Sequence, residues 1–324
     1  MNKLSTRYSR PSSRCGLNAS QLGRTLIELM ISITIGLVIV VAILAVYTST
    51  SSTGRQSEAG TRMSEDAAIA MNYMANYIRM SGFSVPRVLL APKTVDSGTT
   101  TFKTSDSNFS GAGVRGCDNG FSNPTTAANA LALECNTAAS TNGNAIAIRF
   151  EGDVSNTSPV GTNPSDCLNS AVVGTVTSDV TGGALPYKLI ESRFYVRQGG
   201  NSGTSELYCA GNGGTIAYAA QPIMQHVESM VFRYGVANDT IQREITSYMT
   251  ATQVDAIGGS VDSNWGRVVS VKVCLVMRSE VPNQNGPATY VDCLGNVVAS
   301  PGGFLRRAFT SVVTLRNRAE FVYI

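Results

Sequence analysis

The sequence predicts an α+β protein, in which a long N-terminal helix with an apolar first half packs through its second half against an antiparallel β-sheet head. Three observations predict this class. An uncharged apolar run covers residues 29–47, an amphipathic helical pattern follows it, and segments rich in β-branched residues fill the C-terminal half. Six cysteines downstream of the apolar run indicate that disulfides stabilise the head.

Charge is unevenly distributed along the 324 residues, whose formal net charge is +3. Four basic residues and no acidic one lie in residues 1–23: Lys3, Arg7, Arg10 and Arg14. Removing these four from the 25 basic residues leaves 21 against 22 acidic ones. A near-neutral body argues against general nucleic-acid binding, which requires many cations to neutralise phosphates.

The uncharged run from Leu29 to Tyr47 has about the length that a helix needs to cross a bilayer core of roughly 30 Å. Arg24 and the four basic residues before it predict a cytoplasmic N-terminus and an external C-terminal mass. The simpler alternatives are a plain signal-anchor and a cleavable secretory signal. A secretory signal has an apolar region of about 7–15 residues that ends in a small-x-small site, whereas this run is longer and no clean site follows it.

Glu28 lies at the start of this run, where an unpaired acid is costly and therefore indicates a function. It belongs to the sequence G-R-T-L-I-E-L-M at residues 23–30, which resembles the type III signal of type IV pilins and type II secretion pseudopilins. In that family a basic leader ends in Gly, and the acid is the fifth residue of the mature chain. The resemblance implies that prepilin peptidase cleaves between Gly23 and Arg24 on the cytoplasmic side.

The resemblance also implies that Glu28 sets the register of assembly, because its carboxylate would neutralise the new α-amino group of a neighbouring subunit in the fibre. Arg24 departs from the family pattern, which usually has Phe at the first mature position. Cleavage in the family depends mainly on the Gly that Gly23 matches, so cleavage stays a prediction. N-methylation of Arg24 stays open.

The predicted organisation has three parts. Residues 1–23 form the cleaved leader, residues 24–82 form the long helix with its transmembrane part at about 29–47, and residues 83–324 form a β-rich head outside the cytoplasm.

An apolar stripe at helical spacing predicts the face of the helix on which the head is built. The stripe comprises residues 63, 67, 70, 71, 74, 77 and 78. Ala68, Ile69, Tyr73 and Ala75 lie off it. Gly82 and Pro86 predict where the helix ends.

Long loops are expected from Pro86 to Gly143, and strands after them, because β-branched residues then alternate with turn-forming residues. The predicted strands are 145–150, 187–196, 226–235, 267–279 and 306–317. In 268–276 only Ser270 and Lys272 are not apolar, so this strand is expected at the centre of an antiparallel sheet.

Six of the seven cysteines lie beyond the apolar run, and Cys15 lies in the basic leader. An even set on one side of a membrane segment predicts disulfides in an oxidising compartment. We favour the pairs adjacent in sequence, although six cysteines allow about fifteen pairings and the sequence does not choose among them. The favoured pairs are Cys117–Cys135, Cys167–Cys209 and Cys274–Cys293. No metal or cofactor is expected, since there is no C-x-x-C motif and His226 is the only histidine.

Four later segments resemble the PilW family of minor pilins: NYMANYIRMSGF, VESMVFRYGV, NWGRVVSVKVCLVMRS and LRRAFTSVVTLRNR. They are spread over residues 72–318, so this resemblance is more specific than the leader, which all classes of pilin share. The loops at 91–143 and 236–262 match no pattern of the family, and we expect partner specificity there.

No catalytic constellation is visible in the sequence. His226 stands in a strand pattern, where a structural or surface role is expected. The glycine-rich stretch at 211–214 lacks the Lys-Ser/Thr of a phosphate-binding loop and predicts a turn. Arg306 and Arg307 begin a strand, whose alternation places one on each face, in a salt bridge or at a solvated edge. Trp265 is expected to pack in the core.

The resemblance therefore implies a minor pilin and not an enzyme. Such a protein lies in the inner membrane before assembly and then enters a type IV pilus at low abundance, in a tip or initiation complex that primes the fibre. Its partners would be prepilin peptidase, other minor pilins, the major pilin and a tip adhesin, and its fibre would serve twitching motility, adhesion and DNA uptake. The alternatives are a type II secretion pseudopilin and a membrane-anchored extracytoplasmic binding protein or enzyme.

Overall fold

The structure is a computed structural model, and its described residues form two compact units, of which the first ends at Thr53 and the second begins at Gly54. Gly23, Arg24 and the first part of the predicted 91–143 loop lie outside the described residues. The described residues are 25–87, 106–109, 111–138, 143–177, 186–199, 204–238, 244–282 and 287–318.

The predicted long helix is confirmed as α1, which runs from Leu26 to Met80. Thr25 precedes it, and the backbone N–H of Glu28 donates to the carbonyl of Thr25 at 3.0 Å. Gly82 ends the helix in the left-handed region with φ +71°, a conformation that a glycine adopts without strain.

Fifteen strands and two further α-helices follow α1 in the described part of the chain. The strands are β1 (Pro86–Arg87), β2 (Asp106–Ser107), β3 (Val114–Cys117), β4 (Ala145–Glu151), β5 (Val176–Thr177), β6 (Pro186–Tyr187), β7 (Leu189–Gln198), β8 (Ser205–Gly211), β9 (Ala220–Gln225), β10 (Val227–Ala237), β11 (Ile245–Met249), β12 (Val268–Arg278), β13 (Thr289–Val291), β14 (Val297–Ala299) and β15 (Arg306–Thr314). The short helices are α2 (Ala251–Asp255) and α3 (Val261–Gly266).

The predicted α+β architecture is confirmed, and the head contains two main antiparallel sheets where the sequence predicted one. A five-stranded sheet has the order β3-β4-β7-β8-β9, and a four-stranded sheet has the order β11-β10-β12-β15. β1 pairs with β2, β5 with β6 and β13 with β14 in two-stranded ribbons. The five predicted strands correspond to β4, β7, β10, β12 and β15. β12 lies inside its sheet, as its apolar sequence predicts.

Two backbone features connect the main sheets. His226 is the single residue between β9 and β10, and its φ of +61° turns the chain from one sheet into the other. Beside β4, the N–H of Asn144 donates to the carbonyl of Met230 at 2.7 Å. Gly143 is required at this junction, since a Cβ there would lie 2.2 Å from the Met230 carbonyl oxygen.

Several elements were absent from the sequence prediction. β3 is a fully buried strand within the segment that was assigned to loops, so that assignment is wrong for Val114–Cys117. β9 contains Pro222, which is tolerated because β9 is an edge strand of its sheet. α2 has only five residues and begins with a capping box between Thr250 and Gln253.

The main core joins α1 to the inner faces of both sheets. Met63, Ala67, Ala70, Met74 and Ile78 of the predicted stripe are buried. The main core also receives alternate residues of each sheet, such as Ile146, Ile148 and Phe150 from β4 and Phe232, Tyr234 and Val236 from β10.

Two residues that the sequence placed off the stripe also contribute. Ala75 is buried, and Tyr73 packs against the main core. The prediction is wrong for both, because strands close around the helix more widely than the stripe indicates.

The outer face of the five-stranded sheet is also covered. Residues 121–136 cross it and form a second core with Ala145, Ala147 and Tyr195. Arg193 is fully buried there and donates to the carbonyls of Pro124, Thr126 and Ala128 at 2.6–2.8 Å.

The charge of Arg193 is compensated within the same face. Its guanidinium forms a buried salt bridge with Glu191 at 2.6 Å and lies over the ring of Tyr218. Removing one partner of such a pair would leave the other as an uncompensated buried charge.

Met74→Ala should lower the free energy of unfolding of the head by about 2–5 kcal/mol, because Met74 is fully buried and its loss leaves a cavity. Chemical denaturation of the full chain in detergent measures the difference. Ile69→Ala is the matched control on the same helix, since Ile69 is 60% exposed and should change stability by less than about 1 kcal/mol. Equal losses in the two variants would contradict the assigned core face.

Candidate functional site

The first half of α1 presents apolar side chains on all sides. Every large apolar residue from Leu26 to Tyr47 is between 51% and 79% exposed. Within the described residues, α1 is the one helix that is long and apolar enough to cross a membrane. A helix that is apolar all round, and not along one stripe, requires lipid or other apolar helices around it.

The polar groups inside this segment are satisfied by the helix itself. Ser32 Oγ donates to the carbonyl of Glu28 at 2.7 Å, and Thr34 Oγ1 donates to the carbonyl of Ile31 at 2.8 Å. Such bonds leave no free hydroxyl donor toward an apolar surrounding, so the segment is compatible with a bilayer core.

The side chain of Glu28 differs, because the helix offers it no hydrogen-bond partner of this kind. It is the third residue of α1, and its N–H lies 3.4 Å from Thr25 Oγ1. Its exposed carboxylate makes no salt bridge or hydrogen bond to any residue that the structure describes. An acid in the first turn also interacts favourably with the helix dipole, by about 0.3–1 kcal/mol at an exposed position. This local effect is small compared with the cost of burying an unpaired carboxylate in an apolar environment.

Three disulfides stabilise the head. Cys117–Cys135 connects β3 to the segment that covers the five-stranded sheet, with 5.3 Å between the Cα atoms. Cys167–Cys209 joins a loop to β8, with a Cα–Cα distance of 6.4 Å. Cys274–Cys293 holds the turn of the β13–β14 hairpin against β12, with a Cα–Cα distance of 5.8 Å. Each disulfide joins two cysteines that have no other cysteine between them in the sequence.

The loop of the second disulfide is attached directly to α1. Tyr73 Oη donates to the carbonyl of Cys167, and Tyr77 Oη donates to the carbonyl of Asp166 at 3.1 Å. Burial raises the pKa of both hydroxyls above the ordinary tyrosine value, and the pKa of Tyr77 is also raised by the neighbouring Tyr73. Both phenols therefore remain protonated donors at neutral pH.

Other candidates from the sequence have structural roles. The 211–214 stretch begins at the last residue of β8 and continues as a bend, in which the N–H of Gly213 donates to Asp166 Oδ2 at 2.7 Å. Trp265 is fully buried and donates from Nε1 to Asp255 Oδ1 at 2.7 Å, so its predicted packing is confirmed. His226 is half-buried at the corner between the two sheets.

The two arginines at the start of β15 differ as the alternation predicted. Arg306 pairs with Glu228 at 2.6 Å, and Arg307 is exposed. Among the residues that the structure describes, no group of three or more potential metal ligands comes together.

Comparison with known proteins gives one family match. Residues 193–317 match the family model described as "Type IV Pilus-assembly protein W", PilW, which confirms the resemblance found in the strands of the head. No curated protein matches the chain. Among solved structures, the chain is similar to "Type IV-like pilin TTHA1219 from Thermus thermophilus", at 11% identity and a TM-score of 0.39, over 80% of this chain and 98% of that chain. A similarity at this level carries no argument about function.

Non-reducing digestion and mass spectrometry should recover the three linked peptide pairs. Replacing Cys274 and Cys293 together by Ser should lower the free energy of unfolding by about 2–4 kcal/mol, because the loop between them gains freedom in the unfolded chain. It should also make the β13–β14 hairpin sensitive to protease. Leu294→Ser in the same turn is the control and should change neither property, since Leu294 is 59% exposed. A different set of linked peptides would contradict the assigned pairs.

Proposed function

We propose that this chain is a minor pilin of a type IV pilus. The proposal rests mainly on the match of residues 193–317, in the head, to the PilW family model. The helix that packs against the head also has a first half that is apolar and exposed on all sides. A component that assembles through apolar helices and presents its head outward requires both features. The PilW match favours a pilus over a type II secretion system, although a pseudopilin would share the leader and the helix.

The first step in the proposed mechanism is processing at the inner membrane. Prepilin peptidase cleaves after Gly23, so that residues 1–23 are lost and Arg24 becomes the new N-terminus. The apolar half of α1 holds the subunit in the inner membrane with its N-terminus in the cytoplasm, and residues 83–324 lie on the opposite side. The disulfides support this orientation, because cysteines oxidise outside the cytoplasm.

The second step is docking of the apolar helices in the fibre. Burying a large apolar side chain away from water is worth about 1.5–3 kcal/mol, so a bundle of such helices is stable in a fibre outside the membrane without specific polar contacts. It is also poorly registered, since apolar surfaces can slide along one another. Glu28 provides the register, because its unpaired carboxylate is stable in the bundle only where it meets the α-amino group of a neighbour.

The size of the head determines where this subunit fits in the fibre. Residues 83–324 are bulky for the repeating subunit of a thin filament, which favours a component of low abundance in a tip or initiation complex. The partners there are other minor pilins, the major pilin and a tip adhesin. Through the fibre, the protein would contribute to twitching motility, adhesion and DNA uptake.

Protein extracted from membranes should begin at Arg24 when its N-terminus is sequenced. Gly23→Leu should block cleavage and leave a chain longer by the leader, because the family resemblance assigns the cleavage specificity to this glycine. Gly36→Ala is the control, since a Cβ at Gly36 meets no atom within 4 Å and should not affect cleavage. An N-terminus at Met1 in working fibres, or one after Tyr47, would be incompatible with the proposal.

Glu28→Gln should reduce incorporation into fibres by about tenfold or more, because the amide leaves the neighbour's ammonium without a counter-charge in an apolar bundle. Quantitative immunoblotting of sheared fibres against membranes measures this ratio, and the head should remain folded. Glu58→Gln is the matched control, since its ion pair with Arg62 at 2.8 Å is exposed and contributes less than about 1 kcal/mol. Normal incorporation of the Glu28 variant would refute the register mechanism.

A further inference from the structure

Two cations face each other on the outer face of the four-stranded sheet. Arg233 of β10 and Lys272 of β12 are directly opposite in the antiparallel register, on the side away from the main core. Among the described residues neither forms a salt bridge, and the one hydrogen bond of the Arg233 side chain there goes to the carbonyl of Phe232 at 3.1 Å. Like charges at directly opposite positions destabilise a sheet, so the pair indicates a role other than folding.

Exposed apolar and aromatic side chains lie on the neighbouring strands of the same face. Val312 lies opposite Lys272 on β15 and is 54% exposed, and Tyr248 of β11 is 43% exposed. Glu228, an acid on the same face, forms salt bridges with Arg306 and Arg278. We call Val231, Arg233, Tyr248, Lys272 and Val312 the basic sheet face.

The carboxylate of Asp292 is engaged elsewhere as well. It lies in the turn of the β13–β14 hairpin beside the Cys274–Cys293 disulfide. It accepts the backbone N–H groups of Leu294 and Asn296 at 2.8 Å within that turn. Within the described residues, no salt bridge joins Asp292 to Arg233 or Lys272.

A surface of opposite charge lies on the exposed side of α1. An apolar cavity of about 260 Å³ opens between the helix and the edge strand β9, lined by Ile69, Ala70, Tyr73, Ile223 and Met224. Ile69 is 60% exposed. Glu65 and Asp66 precede Ile69 by four and three residues, so they flank the cavity on the same side of the helix. Neither acid has a salt bridge within the described residues. We call these seven residues the acidic groove.

We infer that the basic sheet face of one copy of this chain docks in the acidic groove of a second copy. Two cations meet two carboxylates, and an exposed apolar side chain such as Val312 fills the apolar cavity. A nucleic acid fits less well, because two cations among apolar residues would neutralise few phosphates.

The two surfaces differ, so the contact is heterologous and leaves one surface of each kind free at the ends. It is therefore directional and can continue from copy to copy. The inference does not rest on the proposed function, because the contact needs only two folded heads.

Site-specific photocrosslinking of the full chain in non-ionic detergent, with micelles in excess, tests this contact. A benzoylphenylalanine in place of Tyr248 should crosslink to the peptide of residues 63–79 of a second, differently tagged copy. R233E/K272E should lower the yield at least tenfold. R307E/R316E is the matched control, because it makes the same charge change at exposed residues outside the basic sheet face, and its yield should stay within twofold.

Exchanging the charges between the two copies is the decisive part of this experiment. The yield of R233E/K272E should return to within about threefold of the original when the second copy carries E65K/D66K, whereas either variant alone stays low. High salt should weaken the original pair. A crosslink that maps elsewhere, or no rescue by the exchanged charges, would overturn the inference. Cleavage after Gly23 and the effect of Glu28→Gln are measured separately, so this result leaves the proposed function to its own tests.

Discussion

The exposed apolar half of α1 is the constraint on which the rest of this protein depends. Its large side chains are all at least half exposed in the isolated chain, and exposing so much apolar surface to water would cost on the order of tens of kcal/mol. In the proposed function, lipid covers this surface before assembly and neighbouring helices cover it in the fibre. The proposed role of Glu28 follows from the same constraint, because an unpaired carboxylate costs little free energy in water and much more where everything around it is apolar.

The second half of the same helix meets the opposite requirement, since it forms one wall of the core of the head. Its stripe of Met63, Met74 and Ile78 is buried against both sheets, while Tyr73 and Tyr77 connect it through hydrogen bonds to the loop that carries Cys167. The disulfides and the buried Arg193 hold long segments of irregular chain on this framework. This framework leaves the basic sheet face and the acidic groove at the surface of the head.

Regular hydrophobic periodicity predicted the elements that bury one regular face. The stripe of α1 and the five apolar strands are visible in sequence because each buries a regular face, and β12 is central because almost all of its residues are apolar. β3 and β9, which the sequence prediction missed, lack such a signal. β3 carries Arg115 and Gly116, whose burial depends on the Asp255 carboxylate and the Tyr234 ring brought from distant segments. β9 contains a proline that an edge position tolerates.

The sequence by itself determined the helix, its apolar half, the acid at its start and the number of cysteines available for pairing, because these depend on local composition and on spacing along the chain. Only the tertiary structure decided that the strands divide into two sheets at His226, which cysteines are close enough to bond, and that Arg233 faces Lys272 with no salt bridge to a described residue. These features depend on register and on contacts between residues far apart in sequence, and a one-dimensional pattern carries no information about either.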